Sequence, residues 1–202
     1  GITFDANNGG SNQAFGSSGA ISASLDEVEI KNCNFINQAV LRLFGNATPI
    51  VVKKLVIDNC LFEKTCTAAN FNNCIYLNAT HTEVIEITNS TFNSPYYDVI
   101  QNAGAQETLT SVKIEGNTVI NHGEGGGVGR IWNVTAQNQT KIESIIFKDN
   151  IMSGASNWAC TKANEEILKV GGHLTSEAEF TDFTGNKFEC KDVKVVFDST
   201  NK

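Results

Sequence analysis

The six-residue pattern Ile30-Lys31-Asn32-Cys33-Asn34-Phe35 restricts the folds open to this chain more than any other feature, because it recurs. It returns as Ile57-Asp58-Asn59-Cys60-Leu61-Phe62, Ile87-Thr88-Asn89-Ser90-Thr91-Phe92 and Ile114-Glu115-Gly116-Asn117-Thr118-Val119. Phe147-Lys148-Asp149-Asn150-Ile151-Met152 and Phe183-Thr184-Gly185-Asn186-Lys187-Phe188 complete the set, and Phe4-Asp5-Ala6-Asn7-Asn8-Gly9 reads as a degenerate first copy. Successive first positions lie 26, 27, 30, 27, 33 and 36 residues apart. A constant motif at uneven intervals is the mark of one supersecondary unit carrying loop insertions.

Each copy has a local physical reading. The first apolar residue ends an alternating run (Val28 and Ile30, Leu55 and Ile57, Ile145 and Phe147), which predicts a strand with one buried face. The third position is Asn, Asp or Gly in six of seven copies, and these residues accept the left-handed backbone of a sharp bend. A second run follows in every repeat, as in Leu41-Arg42-Leu43 and Ile75-Tyr76-Leu77, and a weaker third run such as Ile50-Val51-Val52 precedes the next motif. A unit that cannot bury its apolar side alone must stack on its neighbours. Stacking at the ~4.8 Å spacing of adjacent strands gives an all-β, right-handed, single-stranded parallel β-helix of about seven rungs. Cys33, Cys60, Ser90, Asn117, Asn150 and Asn186 would then form an inner ladder, in which buried amides pair along the stack. The tight two-residue hairpins of an antiparallel sandwich do not recur here. Nor does any repeat carry the 3.6-residue period of a leucine-rich or helical solenoid.

The unbroken repeat predicts a single domain over residues 1–202. With no initiator Met and no signal peptide, residues 1–25 are expected to be an incomplete first rung lacking its N-terminal cap. Charged residues make up 18% of the chain, against about 25% in typical soluble domains. The net charge of −7 argues against nucleic acid or an anionic membrane as partner. No stretch approaches the ~20 apolar residues of a transmembrane helix, and a monomer is expected. The six cysteines include no C-x-x-C and no metal-site spacing. Cys33 and Cys60, one column apart by one repeat, are read first as buried thiols and second as a disulfide; Cys66–Cys74 and Cys160–Cys190 are other pairings. Sequons at Asn46, Asn78, Asn89, Asn133 and Asn138 fall in a chain rich in Asn and Thr and imply no glycosylation.

Chemistry-bearing residues fall in three groups. Taking the middle residue of each second run as outward-facing gives the column Ser22, Arg42, Tyr76, Gln101, Trp132, Lys169 and Val196. Flat rings that stack on sugars, with basic and amide donors between them, suit a track for an extended polysaccharide. Long insertions in the fifth and sixth repeats are expected to overhang one edge as a cleft, carrying His122, Glu124, Arg130, Trp158 and Lys162. Within it, the string NHGEGGGVG matches no phosphate-binding pattern. Lys113 and Glu115 face one way, with Glu86 and Lys148 one rung to either side; this predicts charge pairing across an exposed sheet. Its catalytic alternative is a lyase, with Lys113 as base and Arg130 neutralising a uronate, and Ca²⁺ a cofactor only in that case.

The strings VEIKNCNFIN, LVIDNCLFEK, IEITNSTFNS, VKIEGNTVIN and IIFKDNIMSG, each followed by a strand such as VLRLFG, resemble secreted Bacteroidetes β-helix proteins of the pectate-lyase-like superfamily. Many of these are domains of unknown function. The resemblance implies a right-handed parallel β-helix, export, attachment at the bacterial cell surface through the outer membrane, and work on or near polysaccharides. The chain departs from that superfamily's enzymes: it has no pectate-lyase calcium site, no paired-Asp hydrolase pattern, and fewer repeats. A weaker likeness is to autotransporter and adhesin passengers. Three functions follow in order: a non-catalytic or accessory polysaccharide-binding protein using Arg42, Tyr76, Gln101, Trp132, Lys169 and Trp158, a polysaccharide lyase, and an adhesin or structural spacer.

Overall fold

A computed structural model describes residues 1–6, 13–16, 24–37, 39–44, 50–63, 73–78, 80–93, 99–103, 109–122, 131–134, 142–154, 168–171, 180–188 and 195–198. Its first repeat supplies β1 (Thr3–Asp5), β2 (Gln13–Gly16) and β3 (Ser24–Lys31). The second supplies β4 (Asn34–Ile36), β5 (Val40–Phe44) and β6 (Ile50–Asp58), and the third β7 (Leu61–Glu63), β8 (Ile75–Asn78) and β9 (Thr80–Thr88). Then come β10 (Thr91–Asn93), β11 (Ile100–Ala103) and β12 (Ser111–Glu115), followed by β13 (Thr118–His122), β14 (Trp132–Val134) and β15 (Ser144–Lys148). The last are β16 (Ile151–Gly154), β17 (Leu168–Gly171), β18 (Lys187–Phe188) and β19 (Val195–Asp198). No helix occurs among the described residues, and so none is long and apolar enough to cross a membrane.

These strands form three sheets, and every pairing is parallel. The first sheet is β1-β4-β7-β10-β13-β16-β18, the second β2-β5-β8-β11-β14-β17-β19, the third β3-β6-β9-β12-β15. The chain visits the sheets in that order, one strand in each per repeat, an arrangement consistent with a parallel β-solenoid. After β17 the third sheet is extended by residues 180–184: Asp182 bridges to Ile146, and its carbonyl accepts from the Phe147 amide at 2.8 Å.

The motif's first position forms a continuous buried row. Ile30 pairs with Ile57, Ile57 with Ile87, Ile87 with Ile114 and Ile114 with Phe147, and the Phe183 ring stacks on Phe147 at 5.5 Å. The sixth position forms another: Phe35, Phe62, Phe92, Val119, Met152 and Phe188. Phe4 joins this second row, in register with Phe35, and not the first. The opening segment therefore enters the repeat after the bend, and Phe4-Asp5-Ala6 is the tail of a motif and not its head. Rings of Phe4, Phe35, Phe62 and Phe92 stack face to face at 5.0, 4.5 and 4.9 Å. Each such ring removes on the order of 150–250 Å² from water. Both rows, with Leu41, Ile75, Ile100 and Trp132 of the second sheet, belong to one core.

The bend joining the third sheet to the first explains the motif's polar centre. Asn32, Asn59, Asn89, Gly116, Asp149 and Gly185 all have φ between 50° and 72°. A side chain with a short amide or acid tolerates this left-handed backbone, and glycine adopts it at no steric cost. The bends from Asn32 to Asp149 still donate their backbone N–H to the next repeat, as Asn32 does to Asp58 O at 3.1 Å and Gly116 to Lys148 O at 3.0 Å. One residue further on lies the inner ladder. Asn150 Oδ1 accepts from both the backbone N–H and Nδ2 of Asn117 at 3.1 Å, and Asn186 Oδ1 accepts the same pair from Asn150 at 3.0 Å. The free amide hydrogens donate inward to the main chain, Asn117 to Ile87 O at 2.8 Å and Asn150 to Ile114 O at 2.9 Å. Ser90 continues the column by donating from its N–H to Asn117 Oδ1 and accepting from the Cys60 N–H. Cys33 and Cys60 are free, buried thiols there, so the disulfide alternative for them is not realised. Burial pushes the Cys60 thiol above its ordinary value. Cys74 is also buried; Cys66, Cys160 and Cys190 lie outside the described residues.

Candidate functional site

Parallel register decides which strand positions form lines. On the second sheet Arg42 pairs with Tyr76, Tyr76 with Gln101, Gln101 with Asn133, Asn133 with Lys169 and Lys169 with Val196. Arg42 lays its guanidinium 5.0 Å from the centre of the Tyr76 ring, a cation–π contact. Gln101 Oε1 accepts from Asn73 Nδ2 at 2.6 Å, which holds its amide upright on the sheet.

Trp132 is not in this line. It pairs with Ile100 and Leu168, its indole has no exposed surface, and Asn133 takes the position expected for it. A single-residue shift exchanges the two faces of a strand. Both Ile131 and Trp132 are buried, and with Ile131 held in the turn the larger indole fills the interior row. The ring therefore cannot stack on a ligand. At the other end Arg42 is in register with Gly16, and Ser22 lies outside the described residues. So do Glu124, Arg130, Trp158 and Lys162, hence the expected loop cleft; His122 is placed only as the last residue of β13.

The third sheet carries the charges, and it pairs them. Lys113 binds Glu115 at 2.7 Å, Lys31 binds Glu29 at 2.7 Å, and Lys54 lies between Glu27 at 3.5 Å and Glu86 at 3.4 Å. Lys148 reaches Asp182 at 3.6 Å. Such exposed pairs contribute about 0–1 kcal/mol each and mostly keep the sheet face soluble. The hydrogen bond to Glu115 raises the Lys113 pKa, so its amine stays protonated. A base that abstracts a proton needs the opposite shift, and Lys113 draws no support for lyase chemistry from its surroundings. Among the described residues no three His, Cys, Asp or Glu side chains gather as metal ligands.

A feature the motif contains, and that reading it as a bend alone overlooks, is the groove outside the bends. Two adjoining hollows of about 430 and 390 Å³ share Asn89. Asn32, Asn59 and Asn34 line the first, and Lys113, Gly116 and Asp149 the second. The signal lay in the third motif position, which lines this groove from Asn32 to Asp149, and in the fifth, which lines it at Asn34, Leu61 and Thr91. Asn59 Nδ2 donates to Asn32 Oδ1 at 2.7 Å, forming an outer ladder. Asn89 Nδ2 turns instead to Asp58 Oδ1 at 2.9 Å, beside the Thr88 hydroxyl at 2.7 Å.

Those two donors, Thr88 foremost, hold the Asp58 carboxyl below the ordinary aspartate range. Since the folded value lies under the unfolded one of about 3.9, the contribution is complete above the unfolded value. It disappears as pH falls through the depressed folded value. Between pH 6 and pH 3 the melting temperature of the wild type is expected to drop more than that of Asp58→Asn. Equal drops, measured by circular dichroism, would show that the two bonds do not discriminate between the ionised and neutral acid.

Compared with known protein families, curated proteins and solved structures, the chain matches none of them.

Proposed function

We propose that this chain binds an extended polysaccharide along the outward row of the second sheet, without cleaving it. In this reading the three sheets close into a right-handed parallel β-helix of about seven turns, of the pectate-lyase-like kind, carried at a bacterial cell surface. The observation that carries it is the line Arg42, Tyr76 and Gln101, which continues in register through the positions of Asn133 and Lys169. Its groups recur every ~4.8 Å across a rigid sheet. A guanidinium, a phenol and an amide together donate to hydroxyls and carboxylates, and the phenol ring offers an apolar face. The absence of Trp132 from the row shifts the stacking role to Tyr76 alone.

Affinity electrophoresis through gels containing neutral and uronate polysaccharides tests this proposal. At least one polymer is expected to retard the wild type, and Tyr76→Ala to weaken that retardation by at least tenfold, about 1.4 kcal/mol. Tyr76 is partly buried on a strand surface and is no part of the buried core, so the variant keeps the core intact. Unaltered mobility of the wild type on every polymer would remove the proposal.

A further inference from the structure

We infer that the groove outside the bends, running across the repeats past Asn32, Asn59, Asn89 and Gly116, is a second binding site, and that it takes a neutral, hydroxyl-rich chain such as a stretch of uncharged glycan. It lies where the third sheet turns into the first, on a different face from the Arg42–Tyr76–Gln101 row, and stands independently of the proposal made for that row.

The groove has the polarity of a sugar and not of an ion. Its wall is a series of amides carrying donors and acceptors side by side, as a hydroxyl does. Among the described residues the Oδ1 atoms of Asn59 and Asn89 accept no hydrogen bond, because Asn59 spends only its donor on Asn32 and Asn89 only its donor on Asp58. Leu61 and the Thr91 methyl group supply an apolar strip on the same floor, suited to the C–H face of a pyranose. From Asn32 to Asp149 five successive repeats cover ~19 Å at strand spacing, the scale of several sugar units.

Other occupants fit less well. An added β-strand would need free backbone N–H groups, and those of Asn32, Asn59, Asn89, Gly116 and Asp149 already donate to the following repeat. An anion would need an uncommitted cation, whereas Lys113 is paired with Glu115, and Lys31 with Glu29. The acids Asp58, Glu115 and Asp149 along the groove repel carboxylates and sulfates. A metal ion finds no three-ligand cluster among the described residues.

Glycine provides a clean test, since at Asn59 and Asn89, both at φ 50°, it deletes the amide while favouring the left-handed bend. ¹⁵N-labelled protein is titrated with cellohexaose, mannohexaose and hexagalacturonate, and the side-chain amide signals of Asn59, Asn89 and Gln101 are followed. At least one neutral hexasaccharide is expected to shift Asn59 and Asn89, with hexagalacturonate at least fivefold weaker there. The Asn59→Gly/Asn89→Gly protein should bind that neutral sugar at least fivefold more weakly by calorimetry. Thr91→Arg, which fills the groove from a strand surface, gives the same loss by a route that leaves the bends alone. The inference is overturned if no neutral hexasaccharide shifts Asn59 or Asn89, if shifts fall only on Gln101, or if Thr91→Arg binds as the wild type does. Failure of the Tyr76 row leaves the Asn59 and Asn89 signals untouched, so the two readings fail separately.

Discussion

Replacing Asn150 with alanine is expected to cost about 3–5 kcal/mol of folding stability and lower the melting temperature by on the order of 10 °C. Four hydrogen bonds meet on this one buried amide. Its Oδ1 satisfies the backbone N–H and the Nδ2 of Asn117, and its Nδ2 satisfies Ile114 O and Asn186 Oδ1. Alanine removes one side chain but strands several polar groups in the apolar interior, each at roughly 1–3 kcal/mol. Asn59→Gly makes the contrast, since it deletes an exposed amide of the outer ladder and is expected to stay within about 0.5 kcal/mol of wild type. Urea unfolding of both variants checks the difference. An Asn150→Ala protein that melts within 2 °C of wild type would mean that water enters the column and replaces the amide.

The second large effect is expected at Phe62, whose ring lies between Phe35 at 4.5 Å and Phe92 at 4.9 Å with no exposed surface. Phe62→Ala is expected to lose about 3–5 kcal/mol, the transfer of the ring to water plus the cavity left between two rings that cannot both move in. Phe62→Leu should lose less than about 1.5 kcal/mol. The protein contains the precedent, because Val119 and Met152 hold the same column position two and three repeats further on. If alanine and leucine prove equally destabilising in urea, ring stacking outweighs the volume of the side chain. If both are mild, the sheets close over the gap.

Much of this structure is legible in the sequence. The apolar residues at motif positions one and six predicted two interior rows, and Ile30 to Phe147 and Phe35 to Met152 form them. The Asn, Asp and Gly at position three predicted a left-handed bend, found in all six complete copies. Position four predicted a ladder, and Asn117, Asn150 and Asn186 pair as amides along it. Sites were less legible. Alternation placed Trp132 outside, where it would have met a ligand; the register buries it and puts Asn133 in the row. The charges of the third sheet do pair, but Lys113 takes Glu115 of its own strand and Lys148 takes Asp182, in place of the pairing across neighbouring strands that the sequence suggested among Glu86, Lys113, Glu115 and Lys148.

What the sequence determined by itself is therefore local and repeated: where strands run, where the backbone must turn left-handed, and which positions recur every repeat. These depend on the conformational preferences of single residues, and six complete copies state each preference several times. The tertiary structure decided which of two neighbouring apolar residues faces inward, which amide keeps an acceptor free, and that the bends line a groove. Those outcomes depend on register between strands some thirty residues apart, and a shift of one residue, too small to change any local preference, exchanges the two faces of a strand.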